Sequence, residues 1–482
     1  MLWRSQMNNI LSRLDITKSN RGRNRITSVD MTEGSIARHI LRLAMPLLMV
    51  NFLQQLYVVA DAWVVGNFAS NEAFSAVGIV TPIVNMMIGL FTGVSTGAGI
   101  VISQYYGARQ RRKVKEVVHT AITAALVLSL TLTVLGIVGV SWILEFMNVP
   151  EEIMSEARTY LTLYLFGLIG LAIHNMGTSI LGAVGDPRRP VFFLISVVLN
   201  AVLDLLFVIV FNMGIAGVAL ATVLAQSASA ALVVIALMRD QDCIRLVPDK
   251  LGINGELLGK ILKIGVPAAL QLIVVSASEL FVQRYVNNLN DADLLSGYTA
   301  YTRIEEFLLL PLQALSVATT TLVGQNVGYS QRKRARRGTL IALGFAAAFT
   351  LVLVGLTIRF TPALVGFFND KPEVIEYGTI LLRVISPFYL LCCLIQIFMG
   401  SVSGAGRTFV PMIILISSFI GARQMYLFVV TRFVTNTIVS VGLAYPVGWI
   451  CAAIALVFYY ILCEFDTEII EPSDEQSEIE AK

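Results

Sequence analysis

Charged residues are scarce in this chain. Asp, Glu, Lys and Arg make up 14% of its 482 residues, whereas hydrophobic residues make up 56%. Soluble domains carry about 25% charged residues, so a chain with this composition cannot cover a water-exposed surface. The composition excludes a soluble enzyme and a disordered chain, and it favours an integral membrane protein.

Histidine and cysteine are also rare, with three and five copies. The cysteines show no spacing typical of a zinc site or a disulfide framework, so we predict no resident metal and no cofactor. The sequence contains no phosphate-binding G-x-x-x-x-G-K-[ST] loop, and it lacks the H-E-x-x-H and G-x-S-x-G patterns of hydrolases. We therefore expect neither an enzyme nor a pump that is driven by ATP on its own.

Long apolar segments, in contrast, are abundant. A transmembrane helix needs about 20 mostly apolar residues. The chain supplies twelve such segments if three of them continue through a single charge, at Asp204, Glu279 or Arg423. The predicted fold is all-α, with twelve transmembrane helices at residues 41–66, 75–101, 117–143, 158–181, 190–211, 214–238, 258–286, 297–323, 339–360, 377–400, 409–431 and 434–462.

Basic residues concentrate in every second loop between these segments. The clusters at 109–115 and 332–337 are examples, and the opposite set of loops is nearly free of Lys and Arg. Because basic loops concentrate on the cytoplasmic side, we expect a multi-pass protein of the plasma (inner) membrane with both termini in the cytoplasm. The clusters fit topology anchors in contact with the lipid bilayer, and we expect no nucleic-acid partner.

The two halves of the chain match each other at an offset of 221 positions. The matching landmarks are Pro46 with Pro267, Gln104 and Gly107 with Gln325 and Gly328, and Gly185 and Pro190 with Gly406 and Pro411. Each half therefore holds six helices, and an even number gives both halves the same topology, related by an axis along the membrane normal. Two such lobes are typical of a transporter with the substrate site at their interface. We expect the protein to function as a monomer.

The same reading divides the chain into five parts. A basic cytoplasmic segment is followed by the first lobe, a cytoplasmic linker, the second lobe and an acidic cytoplasmic tail, with predicted boundaries at 1–40, 41–238, 239–257, 258–462 and 463–482.

Ionisable residues inside the predicted helices mark candidate sites, because they are costly in a bilayer. In the first helix Gln54, Tyr57 and Asp61 share one face. In the fifth helix Asn200 and Asp204 lie one turn apart. Moved by 221 positions, the three residues Asp61, Asn200 and Asp204 fall on Val282, Gly421 and Met425, so the second half lacks them. We predict that these three bind the coupling ion, H⁺ or Na⁺, in the first lobe.

Weaker candidates lie in the second half. We place Gln271, Glu279, Tyr301 and Glu306, with Gln54 and Tyr57, in the expected substrate cavity. Glu279 has two open interpretations, an ion pair with Arg284 or a contact to substrate. One of Glu305 and Glu306 is expected to pair with Arg303. Arg423 is expected to be a structural partner of a carbonyl or an acid.

These residues together resemble the multidrug and toxic compound extrusion (MATE) family over roughly residues 31–462. The resemblance rests on L-A-M-P at 43–46, D-A-W-V-V-G at 61–66, G-A-V-G-D at 182–186, Asn200 with Asp204, and G-Q-N-V-G at 324–328. It implies an antiporter of two six-helix lobes that exports organic, often cationic, compounds against H⁺ or Na⁺. It also assigns Asp61, Asn200 and Asp204 to the cation site. A flippase for lipid-linked precursors or polysaccharides, and a receptor or channel without coupling, are the alternatives.

Overall fold

The computed structural model describes residues 30–68, 71–147, 149–186, 189–289 and 291–465; side chains within 56–75 and at a few other positions are outside this description. The described residues fold almost entirely into helices, and no strand occurs among them. The prediction of an all-α fold is confirmed.

Twelve membrane spans can be traced through the described residues. Ten helices are long and apolar enough to cross a membrane, a pair bent by 45° supplies one more, and a shorter apolar helix at Leu194–Val210 completes the set. Numbered in chain order, the spans are 1 Ile36–Phe68, 2 Asn71–Gly107, 3 Arg111–Phe146, 4 Glu151–Phe166 with Leu168–Ala183, 5 Arg189–Asp204 with Leu205–Val210, 6 Gly214–Arg239, 7 Gly255–Asn287, 8 Ala292–Gly328, 9 Arg332–Gly366, 10 Pro372–Ile385 with Tyr389–Gly404, 11 Phe409–Leu415 with Ile416–Ala422 and Arg423–Phe433, and 12 Ile438–Gly442 with Ala444–Leu462.

Spans 4 and 10, each predicted as one continuous helix, are broken near the middle. Span 4 bends at Gly167, where an added Cβ would lie 2.6 Å from Cγ2 of Val223 in span 6. Span 10 passes through a short 3₁₀ turn at Ser386–Phe388 that contains Pro387. Proline lacks the N–H that would continue the helical hydrogen bonds, so the regular α-helix is interrupted there.

The internal repeat is visible in the backbone itself. Arg109 and Ser330 both adopt a left-handed conformation, with φ of 59° and 60°, in the turns that follow spans 2 and 8. Gly185 and Gly406, in the turns that follow spans 4 and 10, have φ of 69° and 88°. The members of each pair lie 221 positions apart, so the offset that was read from the sequence is confirmed in the conformation of the turns.

Each half of the chain has its own apolar core, but the start of the first span of each half is buried in the core of the other half. The start of span 1, including Ile40 and Leu43, is buried in the core of the second half. The start of span 7, including Leu257 and Ile261, is buried in the core of the first half. The two lobes are therefore interlocked at the end of the bundle where spans 1 and 7 begin.

Backbone contacts seal the lobes together at this same end. A Cβ added to Gly107 would lie 1.9 Å from the carbonyl oxygen of Gln325, and one added to Gly328 would lie 2.0 Å from the carbonyl oxygen of Gln104. Both described ends of the chain lie here too, since Arg334 donates to the carbonyl of Glu33 and Arg336 donates to that of Cys463. The molecule is closed at the end that carries the chain ends.

Candidate functional site

A cavity of about 780 Å³ lies between the lobes on the other side of this seal. Span 2 contributes one wall through Thr81, Asn85 and Met86, and spans 7, 8, 10, 11 and 12 of the second half contribute the rest. Pockets of roughly 300–1,000 Å³ suit small organic molecules. The cavity is thus large enough for such a ligand and is lined by both halves of the chain.

Among the residues that the structure describes, five charged side chains line this cavity. Glu279 comes from span 7, Arg303, Glu305 and Glu306 come from span 8, and Arg423 comes from span 11. Arg303 and Glu306 form an ion pair with 3.3 Å between Nη1 and Oε2, so the expectation that one acid pairs with Arg303 is confirmed. The side-chain amide of Gln55 in span 1 also donates to Glu306, and this bond links the first lobe to the cavity.

One face of span 8 lines the cavity. Tyr298, Thr302, Glu305 and Leu309 recur at intervals of three or four residues, and all four line the cavity. Residues with that spacing lie on one face of a helix. Glu305 is mostly buried, with 8% of its surface exposed, whereas Glu306 is exposed.

Arg423 is held rigidly within the cavity wall. Its exposed fraction is 2%, and its Nη1 donates to Oγ of Ser278 at 3.1 Å. The guanidinium lies 4.4 Å from the ring centre of Phe419 and 4.8 Å from that of Tyr445, distances typical of cation–π contacts. It is within electrostatic range of both Glu279 and Glu305. The partners of Arg423 thus include a hydroxyl and two aromatic rings, where a carbonyl or an acid was expected.

A π-helical turn leads directly into Arg423. It covers Ile416–Ala422, and the regular α-helix resumes at Arg423. A π-turn holds one extra residue and rotates the side chains that follow it, and such turns are frequent at functional sites. The prediction that span 11 continues through Arg423 is confirmed, but the apolar sequence before it carried no sign of the wider turn.

Aromatic residues form the inner wall beside Arg423. Tyr298, Tyr445 and Trp449 line the cavity, and the hydroxyl oxygens of the two tyrosines lie 2.8 Å apart. Tyr301 was expected in the cavity, but it is fully buried behind this wall, with ring centres 6.0 Å from Tyr298 and 6.0 Å from Tyr445. Tyr301 supports the wall from the protein interior.

Two other predicted residues of the substrate cavity lie elsewhere. Gln271 is buried in span 7, and its Nε2 donates to the carbonyl of Thr408 at 2.9 Å, which ties span 7 to the start of span 11. Gln54 is exposed on span 1 and is outside the set of residues that line the cavity. The structure therefore brings Glu279 and Glu306 together, and it separates them from Gln271 and Gln54.

The first lobe holds the predicted pair of Asn200 and Asp204. The Nδ2 of Asn200 donates to Oδ2 of Asp204 at 2.9 Å, and both residues are buried, with exposed fractions of 5% and 1%. A second π-helical turn, Leu205–Val210, follows Asp204 at once. Span 5 packs against span 1, the helix that contains Asp61. The side chains of Tyr57 and Asp61 lie outside the described residues.

Carboxylates are present in both lobes. Among the described residues, no group of three or more His, Cys, Asp or Glu side chains is placed to hold a metal ion. The sequence-based prediction relied on the acids and missed Asn85 in span 2 and Gln396 and Trp449 in the second lobe, which also line the cavity. Single polar or aromatic residues in apolar helices give no periodic signal that would have found them.

Twelve membrane spans in two interlocked lobes, with a cavity between them that closes toward one end, define a multi-pass membrane transporter. A family model named MatE matches the chain twice, at residues 46–206 and 267–429, which begin 221 positions apart. Together the two matches span more than half of the chain. The chain belongs to the multidrug and toxic compound extrusion family.

Several bacterial relatives align over most of the chain. The protein named "Probable multidrug resistance protein YoeA" of Bacillus subtilis is 26% identical over 434 residues, which are 88% of this chain and 94% of the relative. The protein named "Probable multidrug resistance protein NorM" of Thermotoga maritima is 28% identical over 413 residues, covering 83% and 86% of the two chains.

Solved structures confirm the fold. One described as the outward-facing conformation of a multidrug resistance MATE family transporter has a TM-score of 0.85 and 21% identity, covering 91% of this chain and 98% of that chain. Another, from Pyrococcus furiosus, gives the same values of 0.85, 21%, 91% and 98%, and is described by a reverse polarity of its binding pocket that suggests a different function. Structures of this fold can differ in the polarity of the binding pocket, so the fold alone does not determine the charges of the cavity in this chain.

Proposed function

We propose that this protein is an antiporter that exports organic cations in exchange for H⁺ or Na⁺. The observation that carries the proposal is the 780 Å³ cavity between the lobes, which combines acidic side chains at Glu279 and Glu305 with an aromatic wall. Carboxylates attract a positively charged cargo, and aromatic faces contact its apolar rings. The names of the bacterial relatives, which refer to multidrug resistance, agree with this cargo class.

The coupling ion binds in the first lobe in this proposal. Asn200 and Asp204 form a hydrogen-bonded, buried pair on span 5, next to the helix that contains Asp61. A buried carboxylate is costly unless a proton, a cation or a hydrogen bond compensates its charge. Loading H⁺ or Na⁺ at Asp61, Asn200 and Asp204 removes that cost and allows spans 1 and 5 to repack.

Alternating access follows from the seal at one end of the molecule. The sealed end carries the basic clusters at 109–115 and 332–337, and basic loops concentrate in the cytoplasm, so we assign this end to the cytoplasmic side of the plasma membrane. The described conformation is then closed to the cytoplasm. Export requires that the glycine contacts between spans 2 and 8 separate in the other half of the cycle.

Efflux of a fluorescent organic cation from proteoliposomes under separately imposed proton and sodium gradients tests this function. We expect one of the two gradients to drive concentrative transport. A matched control uses liposomes that contain the Asp204→Asn variant. Equal transport with both gradients dissipated would contradict coupling, and the absence of transport under either gradient would contradict an antiporter of organic cations.

A further inference from the structure

The charges that line the cavity nearly cancel one another. Arg303 and Glu306 are paired at 3.3 Å and contribute no net charge. Three charged side chains remain among the described residues of the lining, namely Glu279, Glu305 and Arg423. When all three are ionised they carry a net charge of minus one. A ligand with one positive charge neutralises this set, and a second positive charge would have no partner.

Arg423 contributes to this balance as a fixed charge. Its guanidinium contacts the rings of Phe419 and Tyr445 and donates to Ser278. Span 12 leaves space for it, because a Cβ added to Gly448 would lie 2.9 Å from Nε of Arg423. That Nε is buried and has no hydrogen-bond partner within the described part of the chain. An arginine is not deprotonated in proteins, so this charge persists through the transport cycle.

We propose that Arg423 is a specificity-determining residue that limits the cargo to a single positive charge. This inference rests on the proposed function, in which the same cavity binds organic cations. In a partly desolvated cavity a like charge is repelled far more strongly than in water, so a dication has to compensate for the repulsion by Arg423. A monocation pairs with the one excess carboxylate and leaves no charge without a partner.

Two dyes with permanent charges form a matched pair of probes. Ethidium and propidium share one phenanthridinium ring system, but ethidium carries one positive charge and propidium carries two. We expect the purified full-length protein to bind ethidium about tenfold more tightly than propidium. In Arg423→Met the cavity has two uncompensated carboxylates, and the preference shifts toward propidium by about tenfold or more. Arg423→Lys keeps the positive charge and is expected to keep the wild-type ratio.

The outcomes separate this inference from the proposed function. An unchanged ethidium-to-propidium ratio in Arg423→Met, or an equal loss of both dyes, would overturn the role of Arg423 and leave the proposed function intact. Failure of the wild-type protein to bind either dye would overturn both. Thermal unfolding reports whether each variant is folded. Arg423→Gln, which retains a donor for Ser278, gives the same prediction if the methionine variant does not fold.

Discussion

Gln104 and Gln325 occupy equivalent positions in the two halves of the chain, and each extends its side-chain amide into the opposite lobe. Nε2 of Gln104 donates to the carbonyl of Gly404 at 2.9 Å, and Nε2 of Gln325 donates to the carbonyl of Ala183 at 2.9 Å. Both acceptors are also 221 positions apart. Because the bonds are reciprocal, the axis that relates the lobes passes between these two residues, and the bonds have to break before the sealed end opens.

Enlarging a glycine at this seal is expected to force it open. Gly107→Val places a branched side chain where even a Cβ would lie 1.9 Å from the Gln325 carbonyl oxygen. Overpacking of this kind costs roughly 1–3 kcal/mol, enough to shift a two-state equilibrium about tenfold. We expect a longer distance between spin labels at Arg112→Cys and Lys333→Cys, measured by electron spin resonance in a cysteine-free background.

Gly344→Val is the matched control for this experiment. An added Cβ at Gly344 in span 9 meets nothing within 4 Å, so the valine there leaves the seal intact. The same distance distribution for Gly107→Val and Gly344→Val would contradict the assignment of the glycine contacts to a gate.

Arg334 is expected to be a main anchor of the segment before span 1, beside Gln325 and Asn326, which also bond to Met31. Arg334 donates to three backbone carbonyls of this segment, those of Met31, Glu33 and Gly34, at 2.9–3.2 Å. In Arg334→Ala these acceptors lose a charged donor, worth roughly 1.5–3 kcal/mol per bond. We expect hydrogen exchange of residues 30–40 to accelerate by about tenfold or more. The exposed neighbour Arg337→Ala should leave exchange unchanged, and equal acceleration in both variants would argue against a specific clamp.

Loss of the buried carboxylate in span 5 is expected to uncouple transport. Asp204→Asn preserves the size of the side chain but removes the charge that would bind H⁺ or Na⁺ beside Asn200. We expect gradient-driven efflux to fall about 100-fold while thermal unfolding changes little.

Asp293→Asn serves as the control for the removal of a carboxylate. Asp293 forms a surface ion pair with Lys371 at 3.0 Å, and such pairs contribute little. We expect normal efflux in this variant, and full efflux in Asp204→Asn would remove Asp204 from the coupling site.

A pH-dependent contribution to stability is expected at the start of span 8. The pKa of Asp291 lies below its ordinary value of 3.8, chiefly because the N–H of Leu294 donates to its carboxylate. A lowered folded-state pKa contributes stability above the unfolded value, and this is lost as the pH falls through the folded value. Asp291→Ala should therefore lower the unfolding temperature by a few degrees at about pH 7 and by less at about pH 3. An equal difference at both values would contradict this origin.

The number of spans and the internal repeat could be predicted because both depend on long-range composition. A span needs about 20 apolar residues in any order. Gly and Pro residues at a shared offset mark the turns that the two halves have in common. The pairing of Asn200 with Asp204 was also predictable, since residues four apart on a helix are neighbours. These features lie within one helix or recur in both halves.

The second lobe was harder to predict because its site combines charges from three different spans. Glu279, Glu305 and Arg423 are separated widely in sequence, and no local spacing shows that they line one cavity. Tyr301 and Gln271 look similar to cavity residues in sequence, yet one supports the wall and the other binds the Thr408 carbonyl. Only the packing of the helices decides which polar residue reaches the cavity.

Cargo-driven countertransport tests the central claim most directly. Proteoliposomes without an imposed ion gradient receive an organic cation on one side only, and dyes sealed inside record proton and sodium movement. An antiporter predicts that one of these ions moves opposite to the cargo, and that the movement is absent in Asp204→Asn. Cargo flux without any opposing ion flux, or the same ion flux in wild type and Asp204→Asn, would contradict the account.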